Sequence, residues 1–368
     1  MKLNELPPEL LKKIRKGIVI PAVPLSLNSH RTFDQLHQRA ILRYYIDAGV
    51  GGVAVGVHST QFEIRDRNVG LFEPVLEFAS NVVDNYCQSR GIDQIFKIAG
   101  VCGKTAQAKK EAEFAWKNGY HAGLLSLSSF VDEKDDNIVI DHCRQIAEII
   151  PIIGFYLQPA VGGGRLPLSF WRKFVEIENV IAIKIAPFNR YYTLDVIRAV
   201  CECGREKEIA LYTGNDDNIV VDLLTTYKIG TAFVSKEIRI VGGLLGHWAV
   251  WTKKTVELLT EIHKIHENKS AITPEMLTLA AQITEANAAI FDVANDFSGC
   301  IPGIHEVLRR QGLFEGNWCL NPRETLSFGQ KEEIDRICSM YPHLTDEAFV
   351  KENLPRWFDN YSICLPSA

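Results

Sequence analysis

The sequence predicts an α/β chain folded as a (β/α)8 barrel, a TIM barrel, with additional C-terminal helices, and three observations carry that reading. Short apolar runs alternate with helical patterns eight times within about 250 residues, the size typical of such barrels. The runs are apolar throughout, as expected of parallel strands covered on both faces. No Gly-x-Gly-x-x-Gly opens the first unit, so the main signature of a rival open dinucleotide-binding sheet is missing. The expected division is an N-terminal segment over 1–16, the barrel over 17–268 and a helical extension packed on it over 269–368.

Taken in order, Gly17-Ile-Val-Ile-Pro-Ala-Val23 is the first strand, and Thr32 to Ala48 the first helix, opened by Thr32 with Asp34 in its first turn and closed by Gly49. Gly52 to Gly56 is the second strand, leading through His58-Ser-Thr60 into broken helical sequence up to Arg90. Phe96 to Gly100 precedes a helix over Thr105 to Asn118, stopped by Gly119. Ala122 to Leu127 precedes a helix over Asn137 to Ile149, whose start the acidic run Asp132 to Asp136 favours through the helix dipole. Ile152 to Tyr156 leads over Gly162-Gly-Gly164 into Leu168 to Ile177. Asn179 to Pro187 is the sixth strand, with a helical pattern from Thr193. Glu208 to Thr213 leads into a helix entered at Asn215-Asp-Asp217, and Thr231 to Val234 reads as the last strand, before a helix ending near His266. The extension reads as helices over Pro274 to Asp296, Pro302 to Gln311 and Gln330 to Tyr341, packed outside the barrel near a subunit contact or under the catalytic face.

Composition narrows the function. Of 368 residues 46% are hydrophobic and 23% charged, enough for a large core, and the net charge of −5 has no run of either sign behind it. That argues against nucleic-acid or membrane partners. The start lacks the apolar core of a signal peptide and no run approaches the roughly 18 apolar residues of a membrane span, so a cytoplasmic protein is expected. The nine cysteines are scattered without metal-ligand spacing and read as reduced thiols.

The chemistry centres on Lys184, near the end of the sixth strand. Alternation places Lys184 with Ala182 and Val180 on one face, and Ile181, Ile183 and Ile185 on the other. A desolvated amine at a barrel mouth is a nucleophile toward carbonyls, although a lysine at a strand end can also snorkel to solvent. Tyr156, at the end of the fifth strand, is expected to face the same cavity. A phenol within reach of Lys184 can carry the protons that imine formation must move, the alternative being a core aromatic.

These residues resemble the dihydrodipicolinate synthase and N-acetylneuraminate lyase family of class I aldolases. Gly17-Ile-Val-Ile-Pro-Ala-Val23 looks like its first strand, Tyr156-Leu-Gln-Pro159 its Tyr-Asn-x-Pro segment, Ala182-Ile-Lys-Ile185 its Gly-Ile-Lys strand and Gly214-Asn-Asp-Asp217 its Gly-x-Asp-Asp turn. Gly230 to Ser235 is similar to its Gly-x-x-Gly-x-Ile-Ser strand, and Gly303 to Leu313 to a C-terminal family helix, interrupted by His305. The resemblance implies a 2-oxo acid such as pyruvate held as an imine on Lys184, with Tyr156 as the proton relay. It further implies that Gly214, Asp216, Val234 and Ser235 line the substrate site.

The departures fall at the carboxylate-binding loop. Gly56-Val-His-Ser-Thr60 stands where the family carries Gly-Ser/Thr-Thr-Gly-Glu, so His58, Ser59 and Thr60 are the candidate carboxylate cradle. Ser128-Ser-Phe-Val131 replaces the turn bearing the relay tyrosine lent by a neighbouring subunit, and Val161 occupies the usual arginine position, with Arg165 as a substitute. A dihydrodipicolinate synthase proper is therefore not expected. Asp216 and Asp217 fit two roles, capping the next helix or binding a polyhydroxyl tail. Gly162-Gly-Gly-Arg165 lacks the Lys-Ser/Thr of a phosphate loop and reads as a flexible loop.

The expected function is a lyase or aldolase acting on pyruvate or another 2-oxo acid together with an aldehyde or sugar acid, without metal or organic cofactor. The rivals are a dehydratase or hydratase-aldolase of the same family and a non-catalytic binding protein. A homodimer or homotetramer is expected.

Overall fold

The computed structural model describes residues 3–231 and 235–359. Eight parallel strands surround a central axis. They are β1 (Val19–Pro21), β2 (Gly52–Val55), β3 (Phe96–Val101), β4 (Ala122–Leu125), β5 (Ile152–Leu157), β6 (Val180–Ala186), β7 (Ala210–Thr213) and β9 (Ser235–Leu245), with β8 (Thr226–Gly230) set aside as a hairpin arm. Neighbours pair in sequence order from β2 to β7, β9 joins β7 to β1, and a parallel bridge between Ala22 and Ala54 brings β1 against β2 and closes the ring.

Side chains divide by the strand period of two. Ile20, Phe96, Ile98, Leu124, Ile153 and Phe155 point into the barrel, and Val19, Val53, Ile152, Tyr156, Ile183 and Ile185 point out toward the helices. One irregularity corrects the predicted faces of β6. The ladder pairs Ile152 with Val180 but Ile153 with Ala182, so a bulge absorbs one residue. Val180 therefore packs outward and Ile181 inward, the reverse of simple alternation, while Lys184 keeps its inward place.

Helix α1 (Pro8–Lys16) closes the N-terminal end of the barrel. Its Leu10 and Ile14 are buried among the inward residues, and Tyr212 ties it down by donating to Ile14 O at 2.7 Å while accepting from Ile18 N–H at 3.2 Å.

The last barrel strand lies later than expected. Of the predicted run, Thr231 is not in a strand and 232–234, with Val234, lie outside the described residues. Only the far part of β9 joins the barrel, where Ile240 pairs with Leu211 and Gly243 to Leu245 pair with Val19 to Pro21. The preceding part folds back on β8 in an antiparallel hairpin. Gly242 and Gly243 weaken the strand signal of this run. They are needed because a Cβ on Gly242 would lie 2.6 Å from Ile18 O, and one on Gly243 2.4 Å from the Trp248 ring.

The outer helices follow the expected order: α2 (Gln35–Ala48), α3 (Phe72–Arg90), α4 (Thr105–Lys117), α5 (Asp136–Ala147), α6 (Leu168–Phe174), α7 (Arg190–Cys203), α8 (Ile219–Leu224) and α9 (Thr252–Glu267). The extension forms α10 (Pro274–Ile290), α11 (Cys300–Arg310), α12 (Gln330–Met340) and α13 (Glu347–Phe358). Helix α13 docks on α2, where buried Trp357 meets Tyr44 edge-on and Asp346 accepts from the Tyr44 hydroxyl at 2.7 Å. The connection from α10 to α11 reaches the C-terminal ends of the strands. None of the helices among the described residues is long and apolar enough to cross a membrane.

Candidate active site

A cavity opens at the C-terminal end of the barrel, and Lys184 stands in its wall with 9% of its surface exposed. The ladder sets Lys184 beside Phe155 on β5 and Tyr212 on β7, and its ammonium sits 4.4 Å from the centre of the Phe155 ring. Gly214 faces the stem of the lysine. A Cβ there would lie 2.6 Å from Lys184 Cε and 2.8 Å from Ala186 Cβ, so only glycine leaves room for the side chain. Burial pulls the Lys184 ammonium below the usual lysine range, and the nearby Asp216 carboxylate partly restores it.

Asp216 also lines the cavity, 6% exposed, and its Oδ1 accepts from His247 N–H at 3.3 Å. Burial raises its carboxyl toward neutrality, against the pull of Lys184. Neither Asp216 nor Asp217 caps a helix. Helix α8 starts after Asn218, and Asp217 instead pairs with Arg190 at 3.6 Å. The turn is stiffened from behind by buried Asp222, which accepts from Thr213 Oγ1 at 2.8 Å, Asn215 Nδ2 at 2.9 Å and Arg190 Nη1 at 2.5 Å.

His58 and Ser59 reach the cavity from a 3-10 turn after β2. Burial, reinforced by Lys184, lowers the His58 imidazolium to about 4, so the ring is neutral at pH 7. Ser59 donates its hydroxyl proton to Ala22 O at 2.8 Å. Thr60 is corrected from a substrate contact to a loop anchor: its hydroxyl donates to Val23 O at 2.7 Å, accepts from Gly56 N–H at 3.0 Å and Val57 N–H at 3.3 Å, and stands back from the cavity. Arg65 braces the same loop, donating to Gly56 O at 2.9 Å and Gly100 O at 3.0 Å while pairing with Glu111 at 3.0 Å.

Tyr156 does not share the cavity with Lys184. The residue in register with Lys184 is Phe155, so Tyr156, one position on, faces outward. Its ring stacks on Tyr192 and packs on Trp171, and its hydroxyl accepts from Leu166 N–H at 3.2 Å. Burial pushes the phenol up to about 12. Ser235 is likewise misplaced by the late strand. It starts β9 opposite Gly230 in the exposed hairpin, whereas the residue at the cavity is Gly246, which directly follows the end of this strand. Arg165 lies over the Tyr192 ring and borders a neighbouring pocket with Ser128 and Phe130.

Sequence reasoning missed the rest of the wall. Phe188 follows β6, and Phe291, Phe297, Cys300 and Ile304 arrive from the extension, more than a hundred residues after Lys184. The non-glycine residues Phe188 and Phe297 hold positive φ angles of 51° and 66°.

The fold is that of several solved structures. N-acetylneuraminate lyase from Fusobacterium nucleatum, complexed with pyruvate, is 18% identical, with 89% of this chain and 97% of that chain covered at a TM-score of 0.67. Dihydrodipicolinate synthase from Aquifex aeolicus is 17% identical, covering 89% and 98% at 0.67. The prophage protein YagE of E. coli K12, in complex with pyruvate, is 15% identical, covering 89% and 98% at 0.68. No curated protein sequence matches this chain. The sequence profile of one family does match, over residues 15–340, and the chain belongs to that family, the dihydrodipicolinate synthetase family.

Proposed function

We propose that this protein is a lyase that holds a 2-oxo acid as an imine on Lys184 and then makes or breaks a carbon–carbon bond, or eliminates water. The observation that carries the reading is a lysine buried at the mouth of the barrel, with its amine shifted toward the neutral form and a cavity beside it. Family membership supports a lyase, and two of the structural relatives were crystallised with pyruvate.

Asp216 is the proton carrier in this reading, because Tyr156 is turned away and His58 is too weak a base at neutral pH. Neutral Lys184 attacks the C2 carbonyl while the Asp216 carboxyl protonates its oxygen. The resulting carboxylate takes the surplus proton from nitrogen, completing the carbinolamine. Asp216 then returns that proton to the departing hydroxyl, which leaves as water, and the iminium remains with the carboxylate beside it. For cleavage, the Asp216 carboxylate takes the C4 hydroxyl proton, the C3–C4 bond breaks to release an aldehyde, its electron pair enters the iminium as an enamine, and Asp216 returns the proton to C3. For loss of water, Asp216 instead takes a C3 proton and gives it to the C4 hydroxyl, which the enamine expels as water. Hydrolysis of the iminium then releases the 2-oxo acid. Neutral His58 donates its ring N–H to the substrate carboxylate, with Ser59 at its side.

The test is borohydride reduction with pyruvate and larger 2-oxo acids, followed by intact and peptide mass. Wild type gains one reduced adduct on Lys184, and Lys184→Arg gains none. An unlabelled wild type, or an adduct on another lysine, overturns the mechanism.

A further inference from the structure

The wall of the cavity divides into two chemically different parts. Its polar side chains, His58, Ser59, Gln158, Lys184 and Asp216, are few, and the proposed imine chemistry and carboxylate binding already occupy four of them. Apart from Cys300 and two glycines, the remainder is hydrocarbon, including Phe188, Phe291, Phe297, Ile304, Leu157 and Val161. Phe291 and Ile304 are buried, whereas Phe188 and Phe297 are half-buried and form part of the rim.

That rim is held against backbone preference. Phe188 and Phe297 both lie in the left-handed region, at φ 51° and 66°, which bulky residues avoid at a cost of about 1–3 kcal/mol each. The neighbours Asp292 and Asp296 share this conformation, at 58° and 52°. Specific bonds hold both turns, Phe188 N–H donating to Asn215 Oδ1 at 3.0 Å and Phe297 N–H to Asp292 O at 3.0 Å. The two rings meet edge to face, with centroids 6.0 Å apart and planes at 72°. Two aromatic side chains from distant parts of the chain are thus set over the cavity by strained turns, and strain of this kind concentrates at ligand clamps.

We infer that the substrate is a 2-oxo acid whose far end is an apolar, aryl group, received beneath the pair Phe188 and Phe297 and against Phe291 and Ile304. A polyhydroxyl chain fits poorly, because each hydroxyl brought against this wall loses its water without gaining a partner. An aryl ring exchanges water for ring edges and methyl groups. The inference rests on the Lys184 imine proposed above and adds the identity of the group on the other side of the reacting carbon.

The experiment is borohydride trapping on the full chain at graded concentrations of pyruvate, phenylpyruvate, benzylidenepyruvate and 2-keto-3-deoxygluconate. The aryl acids label at concentrations at least tenfold lower than pyruvate, and the hydroxylated acid labels no better than pyruvate. Phe297→Asn and Phe188→Asn, which suit left-handed backbone, reduce the aryl-to-pyruvate preference tenfold or more. Labelling by pyruvate without an aryl preference, stronger labelling by the hydroxylated acid, or a preference that neither variant changes overturns the inference and leaves the imine intact. Absence of labelling by every acid instead removes the imine on which it rests.

Discussion

Gly214→Ala isolates the geometry of the nucleophile from its chemistry. The residue does not have a positive φ, so alanine meets no backbone penalty there and the whole effect is one of space. The added Cβ would lie 2.6 Å from Lys184 Cε, 3.1 Å from its Cγ and 2.8 Å from Ala186 Cβ, where ordinary contact begins at 3.4 Å. Because Ala186 belongs to β6, the lysine stem gives first, by about 0.8 Å, or the turn after β7 recedes. A displacement near 1 Å at a reacting group costs about 100-fold in rate, and overpacking a buried site costs about 1–3 kcal/mol in stability. The assay is single-turnover imine formation with pyruvate, quenched with borohydride, beside urea unfolding. The expected result is a folded protein, destabilised by that amount, that forms the imine about 100-fold more slowly. A variant that forms the imine within threefold of the wild-type rate refutes the requirement for the Gly214 approach, since the lysine would then work from a displaced position.

Three further outcomes follow from the same site and its surroundings. Tyr156→Phe removes a hydroxyl that only accepts from Leu166 N–H, so single-turnover imine formation stays within about threefold while stability falls by about 1 kcal/mol; a loss of 100-fold would return the phenol to the reaction. Asp216→Asn slows imine formation by about 100-fold and, because the carboxylate is what raises the Lys184 ammonium, moves the acid limb of the rate profile to lower pH; an upward shift contradicts the assignment. His121, buried with Nδ1 accepting from Lys97 N–H at 2.9 Å, is lowered to about 3 by burial and then by Lys97. The unfolded chain takes up that proton below about 6.5 and the folded chain does not, so this contribution is complete above that value and fades as pH falls toward 3. It amounts to about 2 kcal/mol between pH 7 and pH 5, read as a flatter pH dependence of the urea midpoint in His121→Asn, and an unchanged slope rejects it.

The barrel was legible because buried parallel strands are apolar runs, and seven of them lie within a few residues of their predicted places. The eighth was not, since Gly242 and Gly243 serve close packing rather than strand propensity and the run therefore reads as loop. Lys184 stood out as one charge in a run of apolar residues. The facing of Tyr156 did not, because period two fixes the faces within a strand, whereas the phase between strands depends on register and on the bulge beside Ile181. Thr60 looks like a ligand until its hydroxyl bonds are counted. The aromatic rim was invisible for a different reason: Phe188 and Phe297 become neighbours only when the extension folds across the barrel, and no local pattern encodes a contact over 109 positions.

Among the described residues, α1 plugs the N-terminal end of the barrel, and the cavity beside Lys184 opens at the other end. With Leu10 and Ile14 buried at the N-terminal end, the proposed substrate reaches Lys184, and its products leave, through the cavity at the C-terminal end. For a reaction that divides its substrate, this imposes a sequence on departure. The fragment not bonded to the lysine lies nearer the opening and exits first, and the tethered fragment follows only after water has come in by the route just vacated. In the proposed reaction, cleavage and hydrolysis are thereby separated in time, with the mouth of the cavity as the clock.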